Sequence, residues 1–191
     1  MSTSTRINSI SDIIVERLPN RVSQRRLQHI HGVIETAVSL AERFGVDRER
    51  VRLAAAAHDM DRDLSAGAAL ALAADWGIPL STAERRHPAL IHGALSAERL
   101  RRQYGVLDRE LLHAVRHHTL GDPSFGPVGH ILYVADFCEP GRTHLSSEER
   151  GEILGQSSPE SMVAATIRRA WERFGRLDTP TKALLDQVSG G

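Results

Sequence analysis

Apolar residues recur at three- and four-residue intervals along almost the whole chain, a periodicity that commits it to helices. In residues 23–44, Leu27, Ile30, Ile34, Ala37, Val38 and Ala41 fall on one helical face. Gly45 stands where a left-handed C-cap is wanted. Asp47 reads as the N-cap of a second helix through Val51 and the small-residue run LAAAAHD. Further helices are predicted over residues 65–75, over 88–104 with Gly105 as the stop, and from Asp108 through LLHAVRHH. GDPSFGPVG, residues 121–129, is the clearest loop. HILYVADFC is partly β-branched and taken alone reads as a strand. No second such run exists to pair with it, so it is predicted to be a buried helix. Two more helices open at Ser158-Pro159-Glu160 and Thr179-Pro180, and the final Ser/Gly residues read as a frayed tail. The expectation is a single all-α domain.

With 191 residues, of which 41% are hydrophobic and 25% charged, the chain can bury one core and is short for two. Lys+Arg and Asp+Glu are both 24, so the basic excess of a phosphate-neutralising nucleic-acid binder is missing, and no nucleic-acid partner is expected. A lone Cys138 excludes an internal disulfide, a four-cysteine zinc site and an iron–sulfur cluster held by this chain alone. It is read as a small core hydrophobe. Neither a secretion-type apolar run near the start nor a membrane-spanning stretch is evident, and a cytoplasmic, membrane-free protein is expected.

Ten histidines stand against four Phe, two Tyr and two Trp. Five of them can be read with two aspartates: His29, the pair His58-Asp59, His92, the pair His117-His118, and Asp136, each group on a different predicted helix. Helical bundles build metal centres from inward-pointing side chains in this way. A lone histidine on a helix is more often surface or satisfied core than a ligand, and His31, His87, His113, His130 and His144 are read so. Asp136 is more informative, because it follows ILYVA in an apolar run and a buried carboxylate needs a cation, a metal or several donors. Three or four imidazoles with two carboxylates suit Fe, Mn, Co, Ni or Zn. Such an ion activates water and offsets phosphate charge, which is most of what phosphoryl transfer needs.

The order H…HD…H…H…D resembles that of the HD-domain metal-dependent phosphohydrolases. The local wording is closest to their symmetrical bis(5'-nucleosyl)-tetraphosphatases, which split diadenosine tetraphosphate into two ADP. The matching stretches are RLQHIHGVIETAVSLAERFGVD (26–47), AAAAHDMDRD (54–63), HPALIHG (87–93), AVRHHTLG (114–121) and ILYVADFCEPGR (131–142). The resemblance implies a helical bundle with the metal centre in its core. It implies an HD domain over residues 23–145, an N-terminal helix or extension over 1–22, and C-terminal helices over 146–191 that complete the same domain. Met162, Ile167, Trp171 and Phe174 in those last helices serve either the core or a homodimer surface.

By the same resemblance, His29, His58, Asp59 and Asp136 are the metal ligands. His92 and His118 complete a second metal site or contact phosphate. Asp59, Arg62, His92 and His118 are the catalytic set, while Arg26, Arg62, His92, His118, Thr119, Gly121 and Arg142 surround the nucleotide. One or two transition ions are implied, iron first. Arg62 stands where the family usually has Lys, and Ser96 where it favours glycine. The alarmone hydrolases of the same fold carry HDxxED, and here the first acid of that pair is replaced by Arg62. An HD-class nucleotidase, an alarmone hydrolase and a non-catalytic nucleotide-sensing module are the alternatives.

Overall fold

A computed structural model describes residues 3–190, with side chains from Ser9 onward. The described residues form eleven α-helices and no strand. They are α1 (Thr3–Arg17), α2 (Gln24–Phe44), α3 (Arg48–Ala57), α4 (Ala66–Asp75), α5 (Thr82–Arg86), α6 (Ile91–Tyr104), α7 (Arg109–His117), α8 (Pro127–Cys138), α9 (Ser147–Leu154), α10 (Pro159–Phe174) and α11 (Thr179–Ser189). None is long and apolar enough to cross a membrane.

Local chemistry sets the helix ends. Ser23 caps α2 by accepting from the Arg26 amide, and Gly45 closes it in the left-handed conformation. Asp47 accepts from the amides of Glu49 and Arg50 to start α3. The strand-like run is indeed a helix: α8 begins with Pro127 in its first turn and buries Val128, Ile131, Leu132, Val134 and Ala135. That start shortens the expected 121–129 loop by its last three residues. Helices α5 and α9 were not anticipated. Each is opened by a capping box, Ser81 with Glu84 and Ser146 with Glu149, a signal that their weak apolar periodicity masked.

Helix α3 lies at the centre and packs against α1, α2, α7 and α8. Ala54 to Ala57 are fully buried, and their short side chains allow this crowding. The core around α3 includes Ile30, Val33, Leu53, Leu111, Val115, Ile131, Leu132 and Met162. Each large apolar side chain removed from water there contributes about 1.5–3 kcal/mol. A smaller cluster joins α4 to α6 through Ala69, Ala73, Ile91 and Leu95. Of the C-terminal residues singled out above, Met162 and Ile167 are fully buried, whereas Trp171 and Phe174 are half exposed.

One polar anchor is buried with the apolar core. Asp61 accepts two hydrogen bonds from Arg99, at 2.9 Å each, and one from Arg21 at 2.8 Å. The Arg99 guanidinium also lies 4.8 Å from the Trp76 ring centre. This network ties the turn after α3 to α6.

Candidate metal centre

The HD pair was expected inside a helix, but α3 ends at Ala57 and His58 is its C-cap. Beyond it the chain tightens into turns in which Met60 donates to Ala57 and Arg62 to Asp59. Leaving the helix lets His58 and Asp59 face the same space. His29 reaches it from α2, His92 from the first turn of α6, His118 from the C-cap of α7, and Asp136 from α8. Helices α6 and α7 must approach closely for this. A Cβ on Gly93 would come within 2.5 Å of the Arg116 carbonyl, so glycine is required beside His92.

Four imidazoles point Nε2 inward. Their Nδ1 atoms are held from behind, by the carbonyls of Ala55 for His58 (2.7 Å), Ala89 for His92 (2.6 Å) and Val115 for His118 (2.8 Å). The Glu139 carboxylate holds His29 Nδ1 at 3.1 Å. These partners only accept, so each Nδ1 carries a proton, and in the neutral ring each Nε2 presents a lone pair. Nε2 of His29 and His58 lie 3.3 Å apart, and Nε2 of His92 and His118 lie 3.1 Å apart. Lone pairs converging at such distances call for a shared cation.

Asp59 stands between the two imidazole pairs. Its Oδ2 is 3.6 Å from Nε2 of both His29 and His58, and its Oδ1 is 3.0 Å from His92 and 3.6 Å from His118. Asp136 Oδ1 adds a second carboxylate oxygen 3.1 Å from His29 Nε2. His29, His58, Asp59, His92 and His118 are all buried. Burial, helped by the neighbouring His118 and His29, pushes the His58 pKa down to about 4 against the opposing pull of Asp59 and Asp136, which keeps the imidazole neutral near neutral pH. Burial acts to raise Asp59, but the His58, His118 and His92 imidazoles overcome it and hold the carboxyl well below the usual range. Asp136 is likewise held low against its own burial, by His29 and Arg142. Burial also lowers His92, whereas Asp59 and Asp136 raise His118 against its burial, a preference for positive charge that a bound cation would satisfy. Buried, oriented imidazoles with two anionic carboxylates fit a divalent transition ion.

The remaining expected residues divide. Arg26 pairs with Asp59, and Arg142 pairs with Asp136 and also donates to its carbonyl at 2.8 Å. Both guanidinium groups line a cleft of about 760 Å³ beside His29. The Thr119 hydroxyl is 3.2 Å from His118 Nε2 and 3.4 Å from His92 Nε2. With Gly121 it lines a second cleft of about 540 Å³ on the other side of the cluster. Gly121 itself adopts a left-handed turn and packs against Leu184 and Tyr133. Arg62 lines neither cleft and rests against the Ala89 carbonyl at 3.4 Å, the same carbonyl that holds His92. Glu139, the acid of EPGR, was not among the expected site residues. Its contact with His29 spans 110 positions and exists only in the folded chain.

The HD domain family model matches residues 26–141. The chain is 33% identical over 151 residues to the symmetrical bis(5'-nucleosyl)-tetraphosphatase of Bacillus subtilis, covering 75% of this chain and 81% of that protein. It is 32% identical over 130 residues to the Staphylococcus aureus protein of the same name, covering 67% of this chain and 63% of that one. A crystal structure from Clostridium acetobutylicum, described as a predicted HD superfamily hydrolase involved in NAD metabolism, superposes with a TM-score of 0.82 at 25% identity. That match covers 94% of this chain and 96% of the other.

Proposed function

The chain belongs to the HD-domain family, and from that premise we propose that it hydrolyses diadenosine tetraphosphate symmetrically, releasing two ADP, at the His/Asp cluster. The observation that carries this reading is the Asp59 carboxylate set between two imidazole pairs, together with tetraphosphatase relatives that match most of the chain. We assign His29, His58, Asp59 and Asp136 as ligands of one ion, and Asp59, His92 and His118 as the residues that either hold a second ion or meet phosphate. Iron is the proposed metal, with Mn, Co, Ni or Zn compatible with the same donors. When bound, such an ion supplies Lewis acidity toward a water molecule and the phosphate oxygens.

The protein's own residues do the rest. Asp59 stays anionic near neutral pH and accepts only, so it orients water and donates no proton to the leaving phosphate. Arg26 and Arg142, at the rim of the larger cleft, supply cationic donors for a polyphosphate in a chain of zero net charge. The Thr119 hydroxyl stands at the opposite rim as a neutral donor. One nucleoside is assigned to the cleft lined by Leu90, Thr119 and Gly121, and the second half of the substrate projects toward the Arg26–Arg142 side. Arg62 is retained as a phosphate contact that acts from the turn beside His92. We assign residues 23–145 to the catalytic unit and the helices that follow to completing it, a reading supported by the packing of α10 on α8.

Chromatography of the products tests this reading. Diadenosine tetraphosphate should yield ADP alone, and AMP should be turned over poorly because it leaves the outer contacts unused. ATP plus AMP as products would mean asymmetric cleavage, and rapid phosphate release from AMP would make the enzyme a nucleotidase.

A further inference from the structure

The His117-His118 pair divides between two places. His118 turns Nε2 into the central cluster, while His117, about 100° around the helix, lies on the wall of the 540 Å³ cleft. It meets His113, four residues earlier on the same face of α7, with ring centres 4.5 Å apart; His113 itself lines an adjoining cleft of about 360 Å³. The turn after α7 brings Asp122 back to this face, and its Oδ1 lies 3.2 Å from His113 Nε2. One ligand atom from each of the three side chains lies within 4.8 Å of the others.

A turn-stabilising role accounts for part of this arrangement. The Ser124 hydroxyl donates to Asp122 Oδ1 at 2.6 Å and sits 3.0 Å from His113 Nε2. It leaves His117 unexplained, since among the described residues that ring has His113 as its neighbour and makes no hydrogen bond. Two histidines at i and i+4 with a carboxylate from a following turn are an N₂O donor set of the kind zinc accepts. Positions left open on the cleft side suit water or an anionic ligand. The neighbouring Arg116 spends one guanidinium nitrogen on the Pro79 carbonyl at 3.0 Å, and Glu84 adds a carboxylate to the same cleft wall.

We propose that His113, His117 and Asp122 form a further, cleft-facing site for a zinc-class divalent cation, separate from the central cluster. Its occupation converts the negative charge of Asp122 into a net positive charge on that wall. The site stands on its own geometry, whatever the central cluster hydrolyses.

Equilibrium dialysis against micromolar zinc, followed by elemental analysis, tests it on the full chain with its central metal retained. Wild-type protein should take up one more zinc per chain than His113→Ala or Asp122→Asn. Hydrolysis by His113→Ala in zinc-free buffer should match wild type. Asp122→Asn, which keeps the side-chain shape and an acceptor for Ser124, carries the test if His113→Ala does not fold. Equal zinc uptake by the wild type and a folded variant would overturn the assignment.

Discussion

The Glu139 carboxylate holds His29 Nδ1 at 3.1 Å and also accepts the Gly141 amide at 2.5 Å, so the EPGR turn fixes the direction in which His29 presents its lone pair. A carboxylate behind a ligand histidine sets its tautomer and raises its basicity. Glu139→Gln should therefore weaken metal binding about 10- to 100-fold while leaving the fold in place. Competition with a calibrated chelator measures this, and unchanged affinity would remove Glu139 from the centre.

Arg99 and Asp61 form a buried pair that ties the HD turn to α6. Arg99→Ala leaves Asp61 with Arg21 alone and removes one of the two guanidinium groups over the Trp76 ring. It should destabilise the protein by about 3–5 kcal/mol, as expected when one partner of a buried pair is removed. Chemical denaturation gives the value, and a loss below about 1 kcal/mol would mean that the network relaxes around the gap.

The side chains that converge on the cluster, His29, His58, Asp59, His92, His118 and Asp136, are legible from residue order, because the donor atoms a side chain offers are a local property. What escaped the sequence depends on tertiary contact. Glu139 reaches His29 only after α2 and α8 pack, and Arg26 and Arg142 are shared between the cleft and the carboxylates of Asp59 and Asp136. The helix expected through His58-Asp59 stops earlier because its last turns tighten toward the cluster. By sequence His113 is an unremarkable helix residue, since Asp122 joins it only when the following turn folds back.

Burial pushes the Cys138 thiol up to about 12, and the side chain is fully enclosed on α8. The thiolate is thus scarce at any pH below that value. Cys138 should resist alkylation in the native protein at pH 8 and react fully after denaturation. Rapid native labelling, followed by mass spectrometry, would show that α8 opens readily.

His130 is buried on α8, and burial lowers its pKa more than Glu160, 3.5 Å away, raises it. The unfolded chain, with an ordinary histidine pKa near 6.5, then binds more protons than the folded one as the pH falls below that value. Stability conferred by the neutral ring is present above about pH 6.5 and declines on acidification. A His130→Gln variant should lose less melting temperature between pH 7 and pH 5 than the wild type. An equal or steeper loss would place the acid sensitivity elsewhere.

Metal content measured beside hydrolysis tests the central claim most directly. Purified wild-type protein should carry near-stoichiometric transition metal and cleave diadenosine tetraphosphate. Asp59→Ala, which removes the carboxylate set between both imidazole pairs, should lose metal and activity together. Wild-type protein that is free of metal and still hydrolytic, or Asp59→Ala protein that retains both, would contradict the account.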